Sequence, residues 1–239
     1  MDDEAARIRR EFERRDRIAR DERDPVARFF DERKVAMAGL LLRQAGLLPG
    51  LRTALDVGCG RGMWLRQLEA WGVPRAGLAG IDLSAERIDA ALLALADQGV
   101  GGADLRVGDA SRLPWPARSF ELVIQSTVFT SILDPSMRRA VAAEMLRVVT
   151  DAGAILWYDF RVNNPRNPHV RGIGPREIRE LFPGCRIELR RATLAPPLAR
   201  LVVPLSAALA RALEAAKVLN THDMALIRKE APVEAPRLP

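Results

Sequence analysis

The chain has 239 residues, 48% of them hydrophobic and 28% charged, with a net charge of +6. That length and apolar content suit one globular domain, or a domain with an added cap, and no run of about 18 uncharged apolar residues offers a membrane span. Nor does the charge mark a nucleic-acid binder: the arginines are scattered among acids, and aromatic residues make up only 5% of the chain.

The start, MDDEAARIRREFERR, lacks the apolar stretch of a secretory signal. Two distant cysteines, Cys59 and Cys185, predict a reducing, cytoplasmic setting rather than a disulfide scaffold. Residues 1–24 mix acids and arginines at helical spacings, which predicts an exposed arm that adds little to the core. From Val26 to Leu48 an apolar pattern ending at glycines predicts the first packed helix. Strands and helices then alternate. Strands are expected at Thr53–Val57, Leu78–Leu83, Ala103–Val107, Phe120–Gln125 and Gly153–Phe160, with helices at Met63–Trp71, Ala85–Ala96 and from Pro135 to Val149. Such alternation predicts a parallel sheet covered by helices on both faces.

Arg186–Thr193 and Asp223–Arg228 predict two more strands, separated by Ala195–Leu219. As one helix, that insertion gathers Leu198, Leu201, Val202, Leu205, Leu209 and Leu213 on one face, opposite Arg200, Arg211, Glu214 and Lys217. The chain therefore divides into a charged arm (1–24), one α/β domain (25–230) carrying the 195–219 insertion, and a proline-rich tail (231–239) expected to be disordered.

ALDVGCGRG, at Ala54–Gly62, sets glycines at alternate positions behind an apolar run, where a ligand approaches bare backbone. A triphosphate loop would need Lys and then Ser or Thr after the last glycine, but Met63 and Trp64 follow Gly62. A dinucleotide fits better, because Asp82 ends the second strand where ribose hydroxyls would lie. However, Asp56 stands before the glycines, an anion poorly placed beside a pyrophosphate and well placed beside a cationic ligand. GDASRLPW adds Asp109 at the end of the third strand. Capping of the following turns is the competing role for Asp82 and Asp109. Within the glycine turn, Cys59 is explained by its small side chain.

Taken as an ordered set, LDVGCGRG, GIDLS, GDASRLPWPARSFELVIQ and LRVVTDAGAILWYD resemble the class I S-adenosylmethionine-dependent methyltransferases, especially the branch with ubiquinone and menaquinone C-methyltransferases. The resemblance covers Thr53 to Phe160. It implies a Rossmann-like seven-stranded sheet ordered 3-2-1-4-5-7-6, the last strand antiparallel, with the insertion joining the sixth and seventh strands. It also implies S-adenosylmethionine as cofactor. Gly58, Cys59, Gly60 and Gly62 would form the loop against its methionine part, with Asp56 organising that loop and facing the ammonium. Asp82 would grip the ribose, Leu83 would lie against the adenine, Asp109 and Ala110 would read the adenine edge, and Gln125 would line the methionine chain.

Methyl transfer to a hydroxyl needs a base, for which His169 and His222 are the candidates; a surface or loop-satisfying role competes for each. Asp159 is expected to orient His222. Asn163, Asn164 and Arg166, in a loop rich in amides and prolines, are candidate acceptor contacts. No acidic metal cluster and no Asn-Pro-Pro-Tyr motif is present in the sequence. The expected acceptor pocket lies between the Asn163–His169 loop and the insertion, whose apolar and basic faces would suit a lipid-linked acceptor and peripheral membrane contact. O-methylation of a small or lipid-linked molecule, such as a natural product or a sugar of a polysaccharide pathway, leads. Quinone-type C-methylation, nicotinamide-dependent oxidoreduction and an inert cofactor binder are the alternatives.

Overall fold

A computed structural model describes residues 2–16, 24–96, 102–164 and 167–230. Two helices, α1 (Asp2–Asp16) and α2 (Pro25–Gln44), precede the alternating region. Asp24 starts α2 by accepting a hydrogen bond from the Val26 amide, with Pro25 at the first helical position. Then come β1 (Ala54–Val57), α3 (Met63–Ala70), β2 (Leu78–Asp82), α4 (Ala85–Ala96), β3 (Asp104–Val107), β4 (Phe120–Ser126), α5 (Pro135–Val148) and β5 (Val149–Phe160). After α6 (Pro175–Leu181) and β6 (Cys185–Leu194), α7 (Pro196–Val202) and α8 (Ala207–Ala215) lead into β7 (Asn220–Lys229).

The seven strands form one sheet in the order β3-β2-β1-β4-β5-β7-β6. The first five are parallel, and β7 runs antiparallel to both β5 and β6. Every residue of β1 and β2 is buried, as expected of parallel strands covered on both faces. One face packs against α5 and α6 through Met137, Val141, Met145 and Ile178. The other packs against α2, α3 and α4 through Leu42, Leu65, Leu68 and Ile88.

Three features depart from expectation. First, α1 is not an exposed arm: Ala5 and Ile8 are buried in the same core cluster as α5. The Glu4 carboxylate accepts from the Leu133 and Asp134 amides, and Arg7 donates to the Ser131 carbonyl. Residues 17–23 of the expected arm, and the expected tail, lie outside the described residues. Second, the insertion is two helices rather than one, because Pro204 cannot continue α7 and the Ser206 hydroxyl caps α8 through the Leu209 amide. It packs on α2 and β6, with Ala199, Val203 and Ala210 against Val26, Phe29 and Leu194. Third, α6 forms in a stretch where no element is expected from the sequence, opened by Pro175 and held to α5 by the Glu177–Arg138 ion pair.

Candidate active site

The C-terminal ends of the parallel strands converge on two adjoining cavities. The first, of about 110 Å³, is walled by Gly58, Asp82, Leu83, Asp109 and Ala110, by Ser126 and Thr127 after β4, and by Ile8 and Phe12 of α1. Gly58 takes a left-handed φ of 69°, and a Cβ there would stand 2.5 Å from Val128. Gly60, also left-handed, would direct a Cβ into open space, and of the loop's glycines Gly58 lines the cavity. The Asp82 carboxylate accepts from the Gly60 amide at 2.9 Å and from the Ser84 amide at 3.0 Å, tying the glycine loop to the start of α4. It thus caps and lines the cavity at once, and its remaining lone pairs are available to a ligand's hydroxyls. Asp109 accepts from the Ser111 amide in the same manner.

Other predicted residues fall outside this wall. Asp56 is buried at the end of β1, where burial foremost, and then the charge of Asp82, push its carboxyl well above the usual range against the pull of Lys34. Burial likewise raises the Cys59 thiol, whose sulfur packs against Gly80. Such a thiol is no nucleophile. Gly62 ends the loop at the start of α3, close-packed on Ala91. Gln125 is fully buried and does not line the cavity; its amide joins the Tyr158 carbonyl to the Val128 amide, bracing the β4–β5 edge. Ser126 and Thr127 occupy the place expected of it, Thr127 in a left-handed conformation at φ 61°. A non-glycine residue held there marks a backbone fixed by its surroundings.

The second cavity, of about 180 Å³, shares Phe12, Thr127 and Ser131 with the first. Phe160, Val162, Asn164, Asn167, Thr130 and Arg171 complete much of its wall. Asn163 instead braces the loop by accepting from the Gly172 amide, and Arg166 lies outside the described residues. The insertion lines neither cavity; α1 supplies the wall expected of it.

Neither histidine stands as a base at these cavities. His222 is 4% exposed in β7, stacked on Tyr158 and against Phe160, and burial with the nearby Lys34 charge pushes its pKa down to about 3. His169 faces Glu11 of α1, with 3.8 Å between Nε2 and the carboxylate. Asp159 does not orient His222, because it pairs across the sheet with Asp223 while His222 pairs with Phe160. Its carboxylate accepts from the Thr130 hydroxyl at 2.6 Å and from the Thr130 and Phe160 amides. Burial raises the Asp159 carboxyl to about 7. Alternation along adjacent strands decides this placement: neighbouring residues face opposite sides of the sheet, so an acid next to a histidine's partner points away from the histidine.

This sheet order, with its reversed last strand, gives the chain the fold of the class I methyltransferases. Residues 54–153 match the family described as "Methyltransferase domain". A S-adenosylmethionine-dependent methyltransferase from Methanosarcina mazei is 19% identical, with a TM-score of 0.58 over 79% of this chain and 98% of that one. Geranyl diphosphate C-methyltransferase from Streptomyces coelicolor A3(2), solved with Mg²⁺, geranyl diphosphate and S-adenosyl-L-homocysteine, is 18% identical, with a TM-score of 0.59 over 80% and 75% of the two chains. These likenesses speak to the fold. Nocamycin O-methyltransferase from Saccharothrix syringae is 35% identical over 101 residues, which are 42% of this chain and 35% of that protein. The match thus spans about a third of that relative's length.

The first cavity fits S-adenosylmethionine, the cofactor of this class of domain. Gly58 brings bare backbone to the cavity wall, Asp82 offers a carboxylate acceptor for ribose hydroxyls, and Leu83, Ala110, Ile132 and Met137 supply an apolar slot for a base.

Proposed function

We propose that the chain is an S-adenosylmethionine-dependent methyltransferase that methylates a hydroxyl of a small acceptor held in the second cavity. The observation that carries this reading is the shared wall of the two cavities, where Thr127 and Ser131 border both. Asp82 and Asp109 would hold the cofactor, and Asn164, Asn167 and Phe160 the acceptor. When bound, the cofactor supplies a methyl group made electrophilic by its sulfonium. The chain's task is then to hold a nucleophile in line and to relieve it of a proton. For a hydroxyl acceptor, Thr130 is the group at the cavity wall, its hydroxyl proton directed to Asp159. Thr130 passes that proton to Asp159 as it takes the acceptor's. The oxygen specificity is also favoured by the O-methyltransferase among the relatives. A natural product, a sugar or a lipid-linked hydroxyl compound belongs to the acceptor class.

Incubation with methyl-labelled S-adenosylmethionine and a fractionated metabolite extract tests the reading. Label in an ether or ester product supports it; label on carbon supports the quinone-type alternative, and cofactor binding without any labelled product supports an inert binder. With an acceptor in hand, Asp159→Asn is expected to lower turnover by about 10²–10⁴-fold with cofactor affinity retained, and to abolish a rise in rate with pH centred on about 7. His222→Phe is the control that leaves both unchanged.

The same residue predicts a pH-dependent stability. A carboxyl raised from 3.8 to about 7 in the fold favours the native state most when protonated, and that contribution is lost as pH rises through this window. The stability of Asp159→Asn relative to the unsubstituted chain is therefore expected to improve across the same interval, read by denaturant melts. A constant difference would mean that Asp159 titrates like an exposed aspartate.

A further inference from the structure

We propose that the α7–α8 hairpin docks the protein on an anionic lipid bilayer, laying Leu201, Leu205, Leu209 and Val218 into the headgroup region. These four side chains are 70%, 85%, 52% and 77% exposed, and Leu219 beside them is 45% exposed. Half of the large exposed hydrophobic residues of the described chain thus fall on one short insertion. Leu201, Leu205 and Leu209 recur every four residues around the turn at Pro204. Leu198, Val202 and Leu213 turn inward and pack on the α2–β6 cluster, so the hairpin is anchored by one side while the other stays uncovered.

The charges around the patch point to the occupant. Arg200, Arg211 and Lys217 are exposed, and none has an acidic partner among the described residues. The insertion's single acid, Glu214, is buried and paired with Arg33, so the hairpin shows only positive charge to its surroundings. Exposed apolar side chains carried on the same short insertion as long cationic ones suit a bilayer interface, where the chains bury and the charges reach anionic headgroups. A second copy meeting this patch about a two-fold axis would set the same cations against one another, which disfavours a dimer. Because β6 ends and β7 begins at the edge where the glycine loop lies, docking by the hairpin would turn the site's edge toward the membrane. This inference stands on the surface alone and holds whether or not methyl transfer is observed.

Sedimentation of the full chain with vesicles tests it. Vesicles of phosphatidylcholine containing phosphatidylglycerol are expected to bind the protein about a hundredfold more tightly than phosphatidylcholine alone, as three basic residues near an anionic surface would give. Binding should weaken as salt is raised. Leu201→Ser with Leu205→Ser and Leu209→Ser should abolish it without lowering the melting temperature, because these side chains are already in solvent. Arg200→Glu with Arg211→Glu should remove the lipid preference separately. Absence of vesicle binding by the unsubstituted chain would overturn the proposal, as would leucine variants that bind normally. A concentration-dependent dimer dissolved by the leucine changes would assign the face to a second copy instead.

Discussion

Replacement of Asp82 by alanine is expected to reduce affinity for S-adenosylhomocysteine by at least about a hundredfold. Three interactions disappear together. The ligand's ribose loses a charged acceptor, and hydrogen bonds to charged groups are worth about 1.5–3 kcal/mol each. The Gly60 amide loses the carboxylate that fixes the glycine loop, and the Ser84 amide loses the cap that starts α4. Loop and ribose contact therefore fail at once, and the loss exceeds that of either alone. Asp82→Asn, which keeps one acceptor oxygen, should fall between. Titration calorimetry on variants whose melting is checked separately decides the matter; unchanged affinity in a folded Asp82→Ala protein would leave Asp82 as a cap and nothing more.

Deletion of residues 1–16 should cost both stability and cofactor affinity. Ile8 is buried, and burial of such a side chain contributes about 1.5–3 kcal/mol. Arg7 and Glu4 add contacts to the segment before α5, and Arg87 of α4 lies 4.3 Å over the Phe12 ring. For a chain of this size the melting temperature should drop by about 5 °C or more. Affinity should fall further than the melting point suggests, because Ile8 and Phe12 form one wall of the cofactor cavity. A truncated chain that melts and binds like the full one would restore the picture of an exposed arm.

The contrast between these two regions shows what a sequence discloses. The glycine loop is legible because its backbone needs are written as residue types: left-handed turns at Gly58, Gly60 and Gly62 exclude most side chains. Asp82 and Asp109 are legible because strand ends in an alternating α/β chain have only one edge to occupy. By comparison, Ala5, Ile8 and Phe12 form a stripe one residue wide among arginines and glutamates, three and four residues apart, and charge hides it. Thr130 and Asp159 are separated by 29 residues, and only the β4–β5 pairing brings their region together. The histidines mislead for the opposite reason. Their chemistry invites a role, while burial against Tyr158 takes His222 out of the range in which it could act as a base near neutrality. In the insertion the hydrophobic period continues past Pro204, but the backbone does not, and this frees Leu205 to stand in solvent.

Titration of the purified full chain with S-adenosylhomocysteine, and in parallel with NAD⁺, tests the central assignment most directly. Saturable heat at one site per chain for S-adenosylhomocysteine, none for NAD⁺, and loss of that heat in Asp82→Ala are the expected results. Binding of NAD⁺ with no response to S-adenosylhomocysteine would contradict the assignment and give the glycine loop to a dinucleotide.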